Sequence, residues 1–197
     1  MTRVQPATPA LIFGPVIGML AAFSLWSISS EEAAALFAGG WLLWTLCEYW
    51  THRIVFHYEP EDGFGARLHW MIHGVHHDHP NDPRRLVLPP VLSVPFGAAF
   101  VALFVGVLGA TGGCAFGAGF VTGYLAYDMV HFALHHHRPR GRLPRLMHQL
   151  HMRHHFEDEH CGFGVSAPWW DVLFGTYSRR ARRAEPPTNS TGSHRRT

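Results

Sequence analysis

GGCAFGAGFVTGYLAYDMVHFALHHH, residues 112–137, decides the fold of this chain. Its apolar part, from Gly112 to Val130, can form a helix that crosses a bilayer, which requires about 20 mainly apolar residues. The run then passes directly into a histidine cluster, in which His131 and His135 are one helical turn apart and share a face. Histidine is the commonest protein ligand for transition metals. The stretch therefore predicts a membrane helix with metal ligands at its end.

Three other apolar runs of similar length occur in the chain, and none of the four contains Lys or Arg. They extend from Leu11 to Ser29, from Ala33 to Trp50 and from Leu86 to Gly109. The basic residues are all arginines, and they lie at the N-terminus, within residues 53–85 or after residue 137. Because basic residues collect on the cytoplasmic side of membrane proteins, we expect two hairpins that enter from that side. The predicted architecture is all-α, with four transmembrane helices and a cytoplasmic, helical, histidine-rich dimetal cap.

The chain is predicted to hold one membrane-embedded domain, residues 1–177, whose cap comprises residues 51–85 and 131–177. The basic tail, residues 178–197, has almost nothing to bury and is expected to be disordered. The first apolar run is expected to be a retained anchor, because it is long, contains Pro15 and lacks a small-residue cleavage site. Both termini and the metal site are expected on the cytoplasmic face of a bacterial inner membrane or the endoplasmic reticulum. The formal net charge is only +2, and no nucleic-acid partner is expected.

Histidine is unusually frequent, with 17 among 197 residues, and most fall in four clusters beside the apolar runs. In the first cluster, His52 and His57 are five residues apart. That spacing turns a continuous α-helix through roughly 140° between the two side chains. The pair can therefore share a metal ion only if the helix ends or bends between them.

The second cluster lies between residues 69 and 79 and ends at Pro80, which stops a helix. His69, His73 and His76 follow offsets of four and three, which place side chains along one helical face. The adjacent His77 points about 100° away and is predicted to face a second ion.

The third and fourth clusters complete the pattern. Asp128 precedes His131 by three residues, where its carboxylate can accept the second ring proton of that histidine and fix the tautomer. In the fourth cluster, His151, His154 and His155 repeat the three-then-one spacing of the second cluster. Two copies of this spacing, together with two helical pairs, supply ligands for two ions rather than one. The alternative, that a histidine is interfacial or simply hydrogen-bonded, is favoured for a set outside these patterns: His79, His136, His137, His160 and His194.

These motifs resemble the integral-membrane fatty acid hydroxylase and sterol desaturase superfamily and, within it, the fatty acid alpha-hydroxylase (2-hydroxylase) branch. The similarity runs from about Glu48 to Tyr177 and includes the spacing His73-Gly-Val-His76-His77 and the run GFGVSAPWWDVLFGTY after Cys161. The resemblance implies ten metal ligands: His52, His57, His73, His76, His77, His131, His135, His151, His154 and His155. It ranks a second set as supporting residues: Glu48, His69, Asp128 and Asp158. The roles of His79, His136, His137, His148 and His160 stay open.

The resemblance also implies an activity, namely hydroxylation of the alpha carbon (2-position) of a fatty acyl chain, in a fatty acid or sphingolipid, with O2 and two electrons. The implied cofactor is a pair of iron ions, which zinc can replace in a preparation. Electrons are expected from a separate cytochrome b5-like or ferredoxin-like protein. Trp169 and Trp170 are expected in an interfacial helix that covers the metals or admits lipid, or that serves as an aromatic anchor.

Two alternatives are weighed against this activity. The same scaffold can oxidise another lipid, as a sterol or carotenoid hydroxylase or a desaturase. A metal transporter or storage protein is less favoured, because a transporter places its ligands near the bilayer midplane, whereas these clusters lie almost wholly outside the apolar runs.

Overall fold

The computed structural model describes residues 3–58, 60 and 62–177. These residues form α-helices and two π-helical segments, with no β-strand among them, which confirms the all-α prediction. The π-helical segments, π1 and π2, are Thr51–Phe56 and Trp70–Gly74. The α-helices are α1 Thr8–Ser27, α2 Ser30–Trp50, α3 Gly63–His69, α4 Val75–Asp78, α5 Pro90–His136, α6 Arg142–Phe156 and α7 Trp169–Leu173.

Helix α5 comprises two helical arms, which correspond to the third and fourth predicted helices and meet at a sharp kink. Gly109 adopts a φ of 76°, a left-handed conformation that favours glycine, and the chain reverses into a second arm. The predicted connection around Thr111 is therefore helical, and the turn lies slightly earlier. The helix also continues beyond residue 130, so that His131 and His135 occupy its last turns rather than a separate cap segment.

Helices α2 and α5 approach each other at glycines. A Cβ atom on Gly40 would lie 1.9 Å from the Phe116 carbonyl oxygen, and one on Gly119 would lie 1.9 Å from the Phe37 carbonyl oxygen. Small residues at such crossings let helix backbones come close in a membrane, where packing and polar contacts rather than hydrophobicity hold helices together. This crossing fixes the position of π1, which continues from α2, relative to the end of α5.

Helix α1 packs against α5 and is part of the same assembly. The Ser24 hydroxyl donates to the Thr111 carbonyl at 3.0 Å, and the Phe13 ring meets the edge of Tyr124 at a centroid distance of 5.1 Å. Ser29 caps the N-terminus of helix α2, and its side chain accepts the Glu32 backbone N–H at 3.2 Å. This cap starts the helix a few residues before the predicted apolar run.

Two helices, α1 and α5, are long enough and apolar enough to cross a membrane. Residues 1–2, 59, 61 and 178–197 lie outside the described residues, and the predicted disordered tail is among them. The one-domain boundary at residue 177 stays a prediction.

Candidate metal centre

The segment π1 places the first histidine pair. Residues five apart approach the same side of a π-helix, because its hydrogen bonds join residues i and i+5. His52 and His57 lie at opposite ends of this turn, with ring centroids 5.1 Å apart. The bend that the sequence required between them is therefore present.

The second cluster divides differently from the prediction. The Nε2 atoms of His73 and His77 lie 2.8 Å apart, whereas His76 contacts His131 and His155. The prediction that His73 and His76 share a face, with His77 turned toward a second ion, is thus wrong. The π turn Trp70–Gly74 changes the angular register, and the i,i+4 pair is the one that aligns.

Helix α6 contributes to both halves of the centre. The structure divides ten histidines into two groups of five whose ligand nitrogens all lie within 4.8 Å of one another. We call them site A and site B. Site A contains His52, His57, His73, His77 and His154. Site B contains His76, His131, His135, His151 and His155.

The spacing of the ring nitrogens fits two metal ions. Within site A, the Nε2 atoms of His57 and His154 lie 3.0 Å apart. Within site B, the corresponding distance between His135 and His151 is 2.7 Å. Two nitrogens that each lie about 2.1 Å from one ion, at a right angle, are about 3.0 Å apart. Imidazole suits iron, zinc, copper and nickel, so the donor set admits a transition metal without deciding which one.

Burial keeps these rings in the neutral form that binds metal. Loss of solvation, reinforced by the neighbouring imidazoles His154 and His77, lowers the pKa of His57 to about 3. Burial, followed by the effect of His154, lowers the pKa of His77 to about 3 as well. Desolvation also holds the pKa of His52 and of His73 well below the ordinary value. A metal ion therefore meets lone pairs rather than protons at neutral pH.

Backbone carbonyls orient two rings of site A. His52 Nδ1 lies 2.7 Å from the Phe163 carbonyl oxygen, and His154 Nδ1 lies 2.7 Å from the Cys161 carbonyl oxygen. A carbonyl can only accept, so each Nδ1 carries the proton and each Nε2 offers its lone pair. Sequence reasoning missed these partners, because a carbonyl on a loop has no residue signature.

The predicted supporting acids make no hydrogen bond to a ring of either site in the described structure. Asp128 Oδ2 and His131 Nδ1 are both buried without a partner, so the expected bond between them is not formed. Glu48 instead accepts the Ser166 backbone N–H at 2.7 Å and also the Ser166 hydroxyl. Asp158 is exposed and accepts the backbone N–H of His160 at 3.0 Å.

The remaining histidines lie outside sites A and B. His69 contacts the Phe56 carbonyl oxygen at 2.5 Å through Nε2 and so supports π1. His79, His137 and His160 are exposed, and His136 and His148 are half-buried. His194 falls outside the described residues.

An apolar cavity of about 300 Å³ begins beside site A and continues between the long helices. His73 and Glu48 line one part of it, and Phe13, Phe96 and Phe100 line another. Three further lining residues carry buried polar groups: Trp44, Tyr124 and Asp128. The cavity is therefore suited to a ligand with a long apolar part and a polar end.

Comparisons with known proteins agree with this geometry. The sequence model described as fatty acid hydroxylase matches residues 37–176. Over 169 residues, the chain is 38% identical to the Saccharomyces cerevisiae ceramide very long chain fatty acid hydroxylase SCS7, with coverage of 83% of this chain and 43% of that protein. Over 170 residues, it is 34% identical to the Arabidopsis thaliana dihydroceramide fatty acyl 2-hydroxylase FAH1, and the match covers 86% of this chain and 72% of that protein.

A solved structure of a hydroxylase domain has the same fold as this chain. Full-length scs7p, of which only the hydroxylase domain is visible, matches with a TM-score of 0.86 and 35% sequence identity. The match covers 90% of this chain and 68% of that chain. The chain spans less than half of the yeast relative and nearly three quarters of the plant relative. The predicted family is confirmed: this chain belongs to the fatty acid hydroxylase family.

Proposed function

We propose that this chain is a membrane-bound dimetal oxygenase that hydroxylates the 2-position of a fatty acyl chain, in a fatty acid or a sphingolipid. One observation carries the proposal: an apolar cavity adjoins two neighbouring groups of five histidines, and His73 of site A forms part of its wall. The names of the yeast and plant relatives, which are hydroxylases of ceramide or dihydroceramide acyl groups, support the same substrate class.

The ten histidines of sites A and B are proposed to hold two iron ions. When bound, iron supplies the activation of O2 that oxidation of an alkyl C–H bond requires and that no side chain provides. The protein contributes neutral imidazoles held in place by burial and, at His52 and His154, by carbonyl hydrogen bonds. An all-imidazole donor set leaves the charge of the ions uncompensated, and the buried carboxylates Glu48 and Asp128 are the nearest candidates to balance it.

The cavity is proposed to bind the acyl chain and to fix which carbon reacts. Apolar side chains, among them Phe96 and Phe100, are proposed to surround the methylenes, while His73 lies where the cavity adjoins site A. Tyr124 and Asp128 also line the cavity, and they are proposed to contact the polar end of the lipid. A substrate held by its polar end presents carbons near the carbonyl, rather than the middle of the chain, to the metal centre.

The membrane arrangement is part of the proposal. Helices α1 and α2 and the two arms of α5 form four spans, with both termini and sites A and B on the cytoplasmic face. The arginines of the N-terminus and of the segment after residue 137 support this orientation, because such residues are retained on the cytoplasmic side. A separate electron-transfer protein, of the cytochrome b5 or ferredoxin kind, supplies the two electrons.

The test is lipid mass spectrometry of cells that express the chain with iron and a compatible electron donor. We expect 2-hydroxyacyl lipids with the wild type and none with His154→Ala/His155→Ala, which removes one ligand from each site. The matched control His79→Ala/His160→Ala removes two exposed histidines that belong to neither site and retains activity. A different oxidised lipid would change the proposed substrate, and the absence of any lipid change in an iron-loaded, reduced sample would refute the oxygenase.

A further inference from the structure

Asp171 is a buried carboxylate that the metal ligands do not touch. Its side chain is 1% exposed, and both oxygens are occupied. Oδ1 accepts the Phe163 backbone N–H at 2.9 Å and the Thr176 hydroxyl at 2.8 Å. Oδ2 accepts the Gly164 backbone N–H at 2.8 Å. The carboxylate therefore fixes the backbone of a loop by two hydrogen bonds to consecutive peptide groups, and a third hydrogen bond links it to the Thr176 side chain.

That loop carries both carbonyls that orient rings of site A. Phe163 accepts from His52 Nδ1, and Cys161 accepts from His154 Nδ1, each at 2.7 Å. Gly162, between them, has a φ of 73° and donates its N–H to the Thr176 carbonyl at 3.0 Å. The backbone is held on one side by Asp171 and Thr176, and it presents acceptors to two imidazoles on the other.

Site B has no such support in the described structure. The Nδ1 atoms of four of its five rings are buried without a hydrogen-bond partner: His76, His131, His151 and His155. The two sites are therefore held differently. A disturbance of the loop at residues 161–164 reaches site A directly, through its hydrogen bonds to His52 and His154.

We propose that Asp171 is a positioning residue for site A, acting through the Phe163 and Gly164 peptide groups on the tautomer and orientation of His52 and His154. The inference rests on the proposed dimetal function. Partners beyond the ligands commonly change metal affinity by about 10- to 100-fold. Asp171→Asn replaces one acceptor oxygen by an NH2 group that faces a backbone N–H, so one of the two peptide hydrogen bonds is lost and the loop shifts.

The experiment measures metal rather than turnover. Protein purified in detergent is loaded with Zn²⁺, and bound zinc is counted and then followed during extraction by EDTA. The wild type is expected to hold two ions. Asp171→Asn is expected to hold one ion as tightly as the wild type and to release the other about 10- to 100-fold faster. Glu157→Gln, an exposed acid beside the ligands of α6, is the control and keeps wild-type release rates.

Double variants assign the weakened ion. Asp171→Asn combined with His151→Gln, a change in site B, should leave no tightly held zinc ion. Asp171→Asn combined with His57→Gln, a change in site A, should hold as much zinc as His57→Gln alone. Thr176→Val removes the hydroxyl that is hydrogen-bonded to Asp171 and to Tyr49 and keeps the carboxylate. It gives a smaller acceleration and replaces Asp171→Asn if that variant does not fold.

Three results would overturn the inference. If each zinc ion leaves Asp171→Asn at the same rate as it leaves the wild type, the loop does not control site A. Equal weakening of both sites would show a general structural role. A folded wild type that holds no zinc would refute the dimetal centre itself and, with it, this role of Asp171.

Discussion

The crossing of α2 and α5 at Gly40 gives a prediction whose size follows from the structure. A Cβ added at Gly40 would lie 1.9 Å from the Phe116 carbonyl oxygen and 2.9 Å from the Phe120 nitrogen. An ordinary carbon–oxygen contact is about 3.3 Å, so Gly40→Ala requires the two backbones to separate by roughly 1.4 Å. No flexible side chain is available to absorb the change, because both nearest groups belong to the backbone.

The separation acts on the metal centre because each helix leads into ligands. Helix α2 continues into π1 with His52 and His57, and α5 ends with His131 and His135. Overpacking of this kind costs about 1–3 kcal/mol of stability. A misplacement of about 1 Å at a reacting centre can lower turnover by about 100-fold. We expect Gly40→Ala to show a lower unfolding temperature in detergent and to lose most 2-hydroxylation.

The neighbouring glycine supplies the control. A Cβ on Gly39 would meet the Phe116 ring at 3.1 Å, which is a side chain able to shift by a few tenths of an ångström. Gly39→Ala should therefore keep most activity and stability. Unfolding temperature is read by intrinsic fluorescence and activity by 2-hydroxyacyl formation. Equal values for the Gly40→Ala and Gly39→Ala variants would refute the close-approach argument.

Three further predictions concern the cavity, the imidazoles and the membrane orientation. Asp128→Asn should keep the zinc content and lower kcat/KM for 2-hydroxylation by about 10- to 100-fold, because an NH2 group replaces a carboxylate oxygen proposed to contact the lipid; an unchanged kcat/KM would contradict this. The pKa values of His57 and His77 are about 3 in the folded protein and about 6.5 when unfolded. Because the unfolded chain binds more protons between these values, their contribution to stability is present above pH 6.5 and is lost as pH falls toward 3. Thermal unfolding of the metal-free protein between pH 7 and pH 4 should show this loss, and a constant unfolding temperature would exclude it. Cysteines placed at Glu31 and at Arg140, in a background without native cysteines, should react with an impermeant maleimide from opposite sides of the membrane; labelling of both from one side would refute the two-hairpin orientation.

The amino-acid sequence was sufficient to predict the chemistry of the candidate site. The histidine spacing and the resemblance to the hydroxylase family together indicate ten histidines, and the structure brings all ten into two groups. That these ten bind metal stays a prediction. The apolar runs and the arginine distribution predict helices and an orientation, because both depend on composition along the chain rather than on contacts between distant residues.

Tertiary structure decided how these residues are distributed. The sequence assigns His73 and His76 to one face, but the π turn before His76 brings His73 and His77 together, and hydrophobic patterning does not report such a turn. The structure also decided where the third and fourth predicted helices meet, because the φ of 76° at Gly109 places the kink there.

The support of site A could not be found from the sequence for a related reason. Its acceptors are the Cys161 and Phe163 carbonyls, which every residue type possesses, and Asp171 acts through peptide groups rather than on a ligand. Residue types and spacing thus determined which side chains are available to bind metal. Only the packing of α2, α5, α6 and the loop after residue 160 decided which of them share a site, because that depends on backbone approach and local turn geometry.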